Sequence, residues 1–427
     1  MWLGHVSVRV LPLVVNSSRE RTSPVRLQFL DKAAYAVILP ARLLSRCYLF
    51  SAALFTFTAE RGLLKMSMVR LAVVGTGGMG MGHIKCILEV PQAELVAVCD
   101  VNPESARRVG ELHKVPWYTD HRALLDKEKV DGVHVCTPHP AHPEPTIDAL
   151  SRGVHVLCEK PLAATIEDAE RMVQAARRGK AILAVMYQQR TSARNRKVRE
   201  ILSSGALGEL VRISLVAAGF RTQAYYGSAP WRGTWKDEGG GVVINQSPHA
   251  LDLFQWFVGM PEQVYACTDT LLHRMQTEDI ASIVVRFPSG AHGTIHLSVN
   301  EAPGTHRWEI AGTAGKLVLD DTLRVARLKT PIREFLSTCT EPWSAPEATW
   351  EEVAVEKTPE GHHLVVENFC RAILGEAEPL VTGEDGLKSQ ELINAILMSG
   401  MLHRPVNIPI DRKEYTALLR KKVQESG

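Results

Sequence analysis

The chain has 427 residues, 45% hydrophobic and 22% charged, with a formal net charge of +2. That length exceeds the size at which one hydrophobic core usually stops growing, so two domains are expected. The mix is that of an ordinary soluble globular protein, and so small a charge surplus excludes the concentrated basic stripe of a nucleic-acid surface.

Residues 1–66 differ in character from the rest of the chain, with nine Lys or Arg against three Asp or Glu. Their one uncharged apolar run, Cys47 to Ala59, is too short to span a bilayer and too far from the N-terminus for a secretory signal. An unstructured extension or a mis-assigned start, with Met66 or Met68 as the true first residue, is the expectation. The alternative is an Arg-rich organellar transit segment.

From residue 69 the pattern is regular. Apolar runs at Val69–Val74, Glu94–Asp100, Asp131–Cys136, Gly153–Cys158 and Ala181–Met186 alternate with helical stretches such as Pro103–His113, Pro143–Ser151 and Thr165–Arg178. This alternation predicts βαβ units and a doubly wound parallel sheet, a Rossmann domain over 67–189. A second, α+β domain is expected over 190–410. It would have a helix at Ala193–Ser203, a strand at Leu210–Ala218, and a helix opened by Gly239–Gly241 and running to about Phe257. Period-2 strands follow at Gln263–Leu271, Ala281–Phe287, Gly293–Val299, His306–Ala311, Lys316–Leu319 and Trp350–Val355, forming a large, mostly antiparallel sheet with one face under helices. Helices at His362–Leu374 and Gly383–Leu402 precede a tail over 411–427. Eight cysteines stand singly, none in the paired spacing of a zinc site, so no metal is expected and a reduced, cytoplasmic protein is the simplest reading.

Gly75-Thr76-Gly77-Gly78-Met79-Gly80 follows a strand and opens a helix, the context in which glycines let backbone approach a pyrophosphate resting on helix N–H groups. Asp100 ends the next strand, placed to accept bonds from adenosine ribose hydroxyls. Its charge would repel a 2′-phosphate, so NAD is expected over NADP, with Arg107 and Arg108 as the case for NADP. Thr137-Pro138-His139 also ends a strand and should pass under the nicotinamide ribose, with His139 and His142 as candidate contacts.

Glu159-Lys160-Pro161 ends a further buried strand. Burial beneath a second domain, next to a cationic nicotinamide, would lower the Lys160 pKa towards working pH and suit it to shuttle a proton. The structural alternative is an ion pair with Glu159. Asn245, His249 and Asp252 follow i, i+4, i+7 spacing, a polar stripe on one helix face that Pro248 would distort. By itself, a histidine there is more often structural than catalytic. Tyr225, Tyr226, Trp231 and Trp235 either stack on a sugar ring or pack the loop between them.

Taken together, GTGGMG, the Asp100 strand end, CTPHPAH (Cys136–His142), EKPLA (Glu159–Ala163), GGGVVINQSPHALDL (Gly239–Leu253), and the later ENFCRAILG and GEDGLKSQELINAI resemble the Gfo/Idh/MocA family of glucose–fructose oxidoreductase and inositol dehydrogenase relatives. The resemblance covers 69–410. It implies NAD(P)-dependent oxidation of a secondary hydroxyl on a sugar, inositol or related cyclic polyol, in a homodimer or homotetramer without a nucleic-acid or membrane partner. Cofactor contacts would come from Gly75, Gly77, Gly78, Met79, Gly80, Asp100, Thr137, Pro138, His142, Glu159 and Lys160. Substrate contacts would come from Lys160, Gln188, Arg190, Trp231, Arg232, Asn245 and His249, with Lys160, His249 and Asn245 as the catalytic set. Family members of the inositol dehydrogenase type carry Asp four residues before the histidine. Asn245 supplies no charge there, so proton removal would rest on Lys160, with Asn245 orienting the imidazole. The resemblance leaves open redox-neutral glycoside cleavage or isomerisation with tightly held NAD, and a non-catalytic nucleotide-binding regulator.

Overall fold

Six short strands alternate with helices in the first half of the computed structural model, which describes residues 68–426; the extension expected over 1–66 lies outside them. These elements are β1 (Val69–Val74), α1 (Gly78–Glu89), β2 (Ala93–Cys99), α2 (Pro103–His113), β3 (Trp117–Tyr118), α3 (His121–Lys127), β4 (Gly132–Val135), α4 (Pro143–Ser151), β5 (His155–Cys158), α5 (Ile166–Gly179) and β6 (Leu183–Val185). The strands pair in parallel in the order β3-β2-β1-β4-β5-β6. Every residue of β4 and all but one of β1 are buried, as a sheet covered on both faces requires. Local chemistry sets the helix ends: Asn102 caps α2 by accepting from Glu104 N and Ser105 N, and Thr165 caps α5 by accepting from Asp168 N.

The chain continues through α6 (Ala193–Ser203), β7 (Leu210–Phe220), α7 (Gln223–Gly227), α8 (Pro248–Val258), β8 (Gln263–Asp269), β9 (Ile280–Arg286), β10 (His292–Ser298), β11 (Asn300–Gly312), β12 (Gly315–Leu319), β13 (Leu323–Leu328), α9 (Ile332–Thr338), β14 (Ala348–Glu352), α10 (His362–Ile373), α11 (Gly383–Leu402), β15 (Val406–Asn407) and α12 (Arg412–Ser426). Nine strands form a second sheet, β14-β13-β12-β11-β7-β10-β9-β8-β15. Its pairs are antiparallel except β7–β10, which is parallel. Burial alternates strictly along β9, so Ala281, Ile283 and Val285 face the helices while Ser282, Val284 and Arg286 face away. Phe254 of α8 stacks on Phe287 and Trp308, the centre of this core, and each fully buried side chain of that size contributes about 1.5–3 kcal/mol.

Beyond the short elements β3, α7, α9 and β15, four features depart from the expected elements. The strand β13 was not anticipated. The helix expected from Gly239 to Phe257 is broken: a π-helical turn at Val242–Gln246 precedes α8, with Pro248 at its first turn. The helix α10 does not join the second sheet but packs Val365, Val366, Phe369 and Cys370 into the core beneath β1. Finally, 412–426 is a helix rather than a bare tail, burying Tyr415 and Leu419 in the main core. Among the described residues, no helix is long and apolar enough to cross a membrane.

Candidate active site

The glycine loop joins β1 to α1, and its glycines are required for two different reasons. A Cβ on Gly80 would stand 1.9 Å from Gly75 O, and one on Gly75 (φ +93°) would stand 2.7 Å from the Cys136 backbone, so these two permit the turn itself. At Gly77 and Gly78 a Cβ would meet no atom within 4 Å, so their bareness serves an approach from outside. Gly77 caps α1 without a side-chain bond, and the first bonded amide is Met81 N, 2.9 Å from Gly77 O. The amides of Gly78, Met79 and Gly80 therefore stand at the positive end of the helix, a cradle that fits a pyrophosphate. Asp100 braces this loop: its Oδ2 accepts from Thr76 N at 2.8 Å and Thr76 Oγ1 at 2.9 Å, and its Oδ1 from Asn102 N.

The carboxyl ends of β4 and β5 carry the next group, and here two expected cofactor contacts prove to be internal struts. The ring nitrogens of His142 lie 3.0 Å from Pro161 O and 2.7 Å from Thr137 O, so the buried imidazole clamps one strand-end turn to the other. Glu159 turns inward, its Oε1 2.8 Å from His83 Nε2 and its Oε2 accepting from Lys160 N. Burial opposes ionisation of Glu159, but the His83 hydrogen bond and the charges of His83 and Lys160 outweigh it and bring the pKa down to about 2. Thr137 and Pro138 hold the turn between them, and His139 is buried with Nδ1 donating to Glu238 O at 2.9 Å.

Lys160 does not pair with Glu159. Its amine donates to the Asn245 carbonyl at 2.9 Å, on the π-helical turn leading into α8. Burial lowers its pKa, with Arg232 and Arg221 adding to the effect and Glu159 and Glu238 opposing it. His249 opens α8 with Nδ1 unpartnered among the described residues, and burial followed by the Lys160 charge lowers its pKa to about 3. It is a neutral imidazole at working pH. It borders a cavity of about 250 Å³ whose wall also includes Gln189, Arg221, Gln246, Ser247 and His306. Gln188 lines a neighbouring cavity of about 330 Å³ that shares Gln189 and His306.

Two substrate candidates are placed elsewhere. Arg190 is 2% exposed and bound to acids through all three nitrogens: Nε and Nη2 bond Asp252 at 2.8 and 2.7 Å, and Nη1 reaches Asp385 at 3.1 Å. Asp252, the last residue of the expected polar stripe, is thus consumed in a buried ion pair. Asn245 does not orient His249 either, because its carboxamide donates to the Glu238 carboxylate. The π-helical turn moves it off the face that regular helical spacing would share with His249. Trp231 and Arg232 do reach the site's edge: the Arg232 guanidinium stacks on Tyr225 and Trp231 and donates to Tyr225 Oη, which also accepts from Gln246 Nε2 at 3.2 Å. Tyr226 and Trp235 are buried and pack the loop.

Glu238, His83, Arg221 and Gln246 escaped sequence reasoning. Only Glu238 left a signal, an acidic residue directly before three glycines that lead into a buried turn.

Comparison with known proteins agrees with the fold. Residues 69–187 match the model of an oxidoreductase family with an NAD-binding Rossmann fold, and 195–318 match the GFO/IDH/MocA C-terminal domain, together more than half of the chain. Myo-inositol 2-dehydrogenase of Thermotoga maritima is 25% identical over 74% of this chain and 92% of its own. D-apiose dehydrogenase of Paraburkholderia graminis is 26% identical over 79% and 89% respectively. The structure of the WlbA dehydrogenase from Bordetella pertussis, in complex with NADH and UDP-GlcNAcA, superposes with a TM-score of 0.69 at 29% identity, covering 81% of this chain and all of that one. With matches across both sheets and a glycine cradle shaped for its dinucleotide, the chain belongs to the Gfo/Idh/MocA family of NAD-binding oxidoreductases.

Proposed function

We propose that the protein oxidises a secondary hydroxyl of a sugar, inositol or related cyclic polyol, with Lys160 as the proton carrier and His249 as the group that orients the reacting hydroxyl. The observation that carries this reading is the Lys160 amine, aimed from the end of β5 onto the Asn245 carbonyl, on the turn that delivers His249 to the cavity wall. NAD, when bound, supplies the hydride acceptor. Gly78, Met79 and Gly80 present amides to its pyrophosphate, and Asp100, already fixed by Thr76 and Asn102, offers its remaining lone pairs to the ribose.

Lys160 suits proton removal because burial destabilises its ammonium, so the amine is a free base over more of the working pH range than a solvated lysine. His249, held neutral, accepts a hydrogen bond from the hydroxyl without competing for its proton. Gln189, Gln246, Arg221 and His306 are the donors and acceptors available to the other hydroxyls. The relatives named for inositol and apiose support a ring polyol as the substrate class. The outward row Tyr265, Val284 and Thr294, paired across β8, β9 and β10, supports a homo-oligomer built on the open face of the second sheet.

The test is NADH formation across monosaccharides, inositols and glycosides, repeated with Lys160→Met. Loss of the proton carrier should cut turnover by about 10²–10⁴-fold on the active substrate while NADH still binds. Turnover within about tenfold of wild type would remove Lys160 from the reaction.

A further inference from the structure

The loop between α7 and α8 buries a carboxylate that belongs to neither sheet. Glu238 has no solvent exposure, and its carboxylate meets one backbone amide and one side-chain amide. Its Oε2 accepts from Gly233 N, directly after Trp231-Arg232, and its Oε1 accepts from the Asn245 carboxamide. Its own carbonyl accepts from His139 Nδ1 at the end of β4. Asn245, held on one side by this carboxylate, receives the Lys160 amine on its carbonyl. The chain Glu238–Asn245–Lys160 thus joins an acid to an amine through a single residue.

We infer that Glu238 is a positioning residue for proton transfer: its negative charge, presented through Asn245, holds the Lys160 amine in place and sets the pH at which that amine gives up its proton. The inference rests on the reading of Lys160 as the proton carrier. The charges around the amine come from every element packed on it. Glu159 and Glu238 favour the ammonium, whereas Arg232 and Arg221 oppose it. His139, His249 and His362 also feel the amine, and burial disfavours the charged form of each. Glu159 is turned towards His83 and the Lys160 backbone, which leaves Glu238 as the acid linked to the amine through Asn245. Glu238 in turn faces Arg232, Glu278, Tyr226 and Lys160. Burial raises the Glu238 pKa to about 7, with Glu278 adding to the effect and Gly233, Asn245 and Arg232 opposing it, so the carboxylate carries its charge on the alkaline side of the profile.

The experiment is the pH profile of kcat/KM for substrate oxidation in wild type, Glu238→Gln and Glu238→Asp. Oxidation needs the free amine, so the acid limb follows Lys160. Removing a nearby negative charge lowers the pKa of an ammonium, and Glu238→Gln should therefore move the limb to lower pH by about one unit. Glu238→Asp keeps the charge and should return the limb most of the way. A Glu238→Gln enzyme that binds NADH normally and loses activity equally at every pH, with the limb unmoved, overturns the inference. If Glu238→Gln does not fold, Glu238→Ser removes the same charge with a smaller side chain: the limb must again move to lower pH, and an unmoved limb again refutes. Should Lys160→Met remain active, the underlying reading fails instead, and the two failures are distinct.

Discussion

Replacing Arg190 with methionine separates a role at the substrate from a role in the core. The guanidinium makes two bonds to Asp252 and one to Asp385, and Asp252 is itself only 1% exposed. Arg190→Met therefore strands a carboxylate in the interior, a change that costs about 3–5 kcal/mol in other proteins. Two donors remain on Asp252, Ser389 Oγ at 2.8 Å and Gln255 Nε2 at 3.2 Å, and Trp256, which stacks on the guanidinium, can close over the methionine. Those compensations put the cost at the lower end, about 3 kcal/mol. With about 2.1 cal/mol/K of unfolding entropy per residue over some 360 residues, that corresponds to a fall in Tm of about 4 °C. Calorimetry gives the Tm, and initial rates with the active polyol give KM. Adding Asp252→Asn to Arg190→Met should recover part of the loss, because a neutral amide is less costly to bury than an unpaired charge. A variant with unchanged Tm and a KM raised tenfold would refute this account and return Arg190 to the substrate.

Gly78→Ala places a methyl where no protein atom lies within 4 Å, so Tm should hold while the cradle is obstructed. NADH fluorescence titration should show Kd raised by about tenfold or more, roughly 1.4 kcal/mol, and an unchanged Kd would remove Gly78 from the pyrophosphate site. Glu278 is buried, with Oε1 accepting from Gly241 N and Val243 N and Oε2 unpartnered among the described residues, and burial raises its pKa from 4.5 to about 7. A folded pKa above the unfolded value means that stability from this group is full below about 4.5 and is lost as pH rises through about 7. Glu278→Gln keeps the accepting oxygen and removes that loss, so urea melts should find it about 1–3 kcal/mol more stable than wild type at pH 8 and little different near pH 5. An equal difference at both pH values would show that Glu278 ionises normally.

The parts of the fold legible in the sequence are those whose burial is local. The strands β1, β4 and β5 read as near-continuous apolar runs because both faces are covered, and β9 alternates because one face is not. By contrast, Leu323–Leu328 carries two arginines in six residues and breaks its alternation at Val325-Ala326, so neither template marks it as a strand; pairing with β12 and β14 makes it one. That α10 returns to the first sheet depends on Phe369 meeting Gly132, a contact 237 positions apart in the chain for which helix periodicity has no term. A segment-by-segment division of the chain cannot represent such a return.

The same distinction explains the site. The placement of Lys160 was legible because it stands two residues past a buried strand, a one-dimensional fact. His249 was legible for a similar reason, as one of three polar residues in a mostly apolar helix. Asn245 was placed by helical arithmetic that assumed 3.6 residues per turn, and the π-helical turn at Val242–Gln246 invalidates it by widening the step. That widening has a chemical consequence. On a regular helix Asn245 would lie over His249; rotated away, its side chain meets Glu238 while its carbonyl meets Lys160. The glycines that precede the turn make this possible, since a Cβ on Gly241 would strike Glu278 O at 2.0 Å and Gly239 and Gly240 both take positive φ. A carboxylate seven residues before Asn245 can then act on the amine from outside the helix. Charge missing from one position of a motif need not be missing from the site, because the backbone can deliver it from a neighbouring loop.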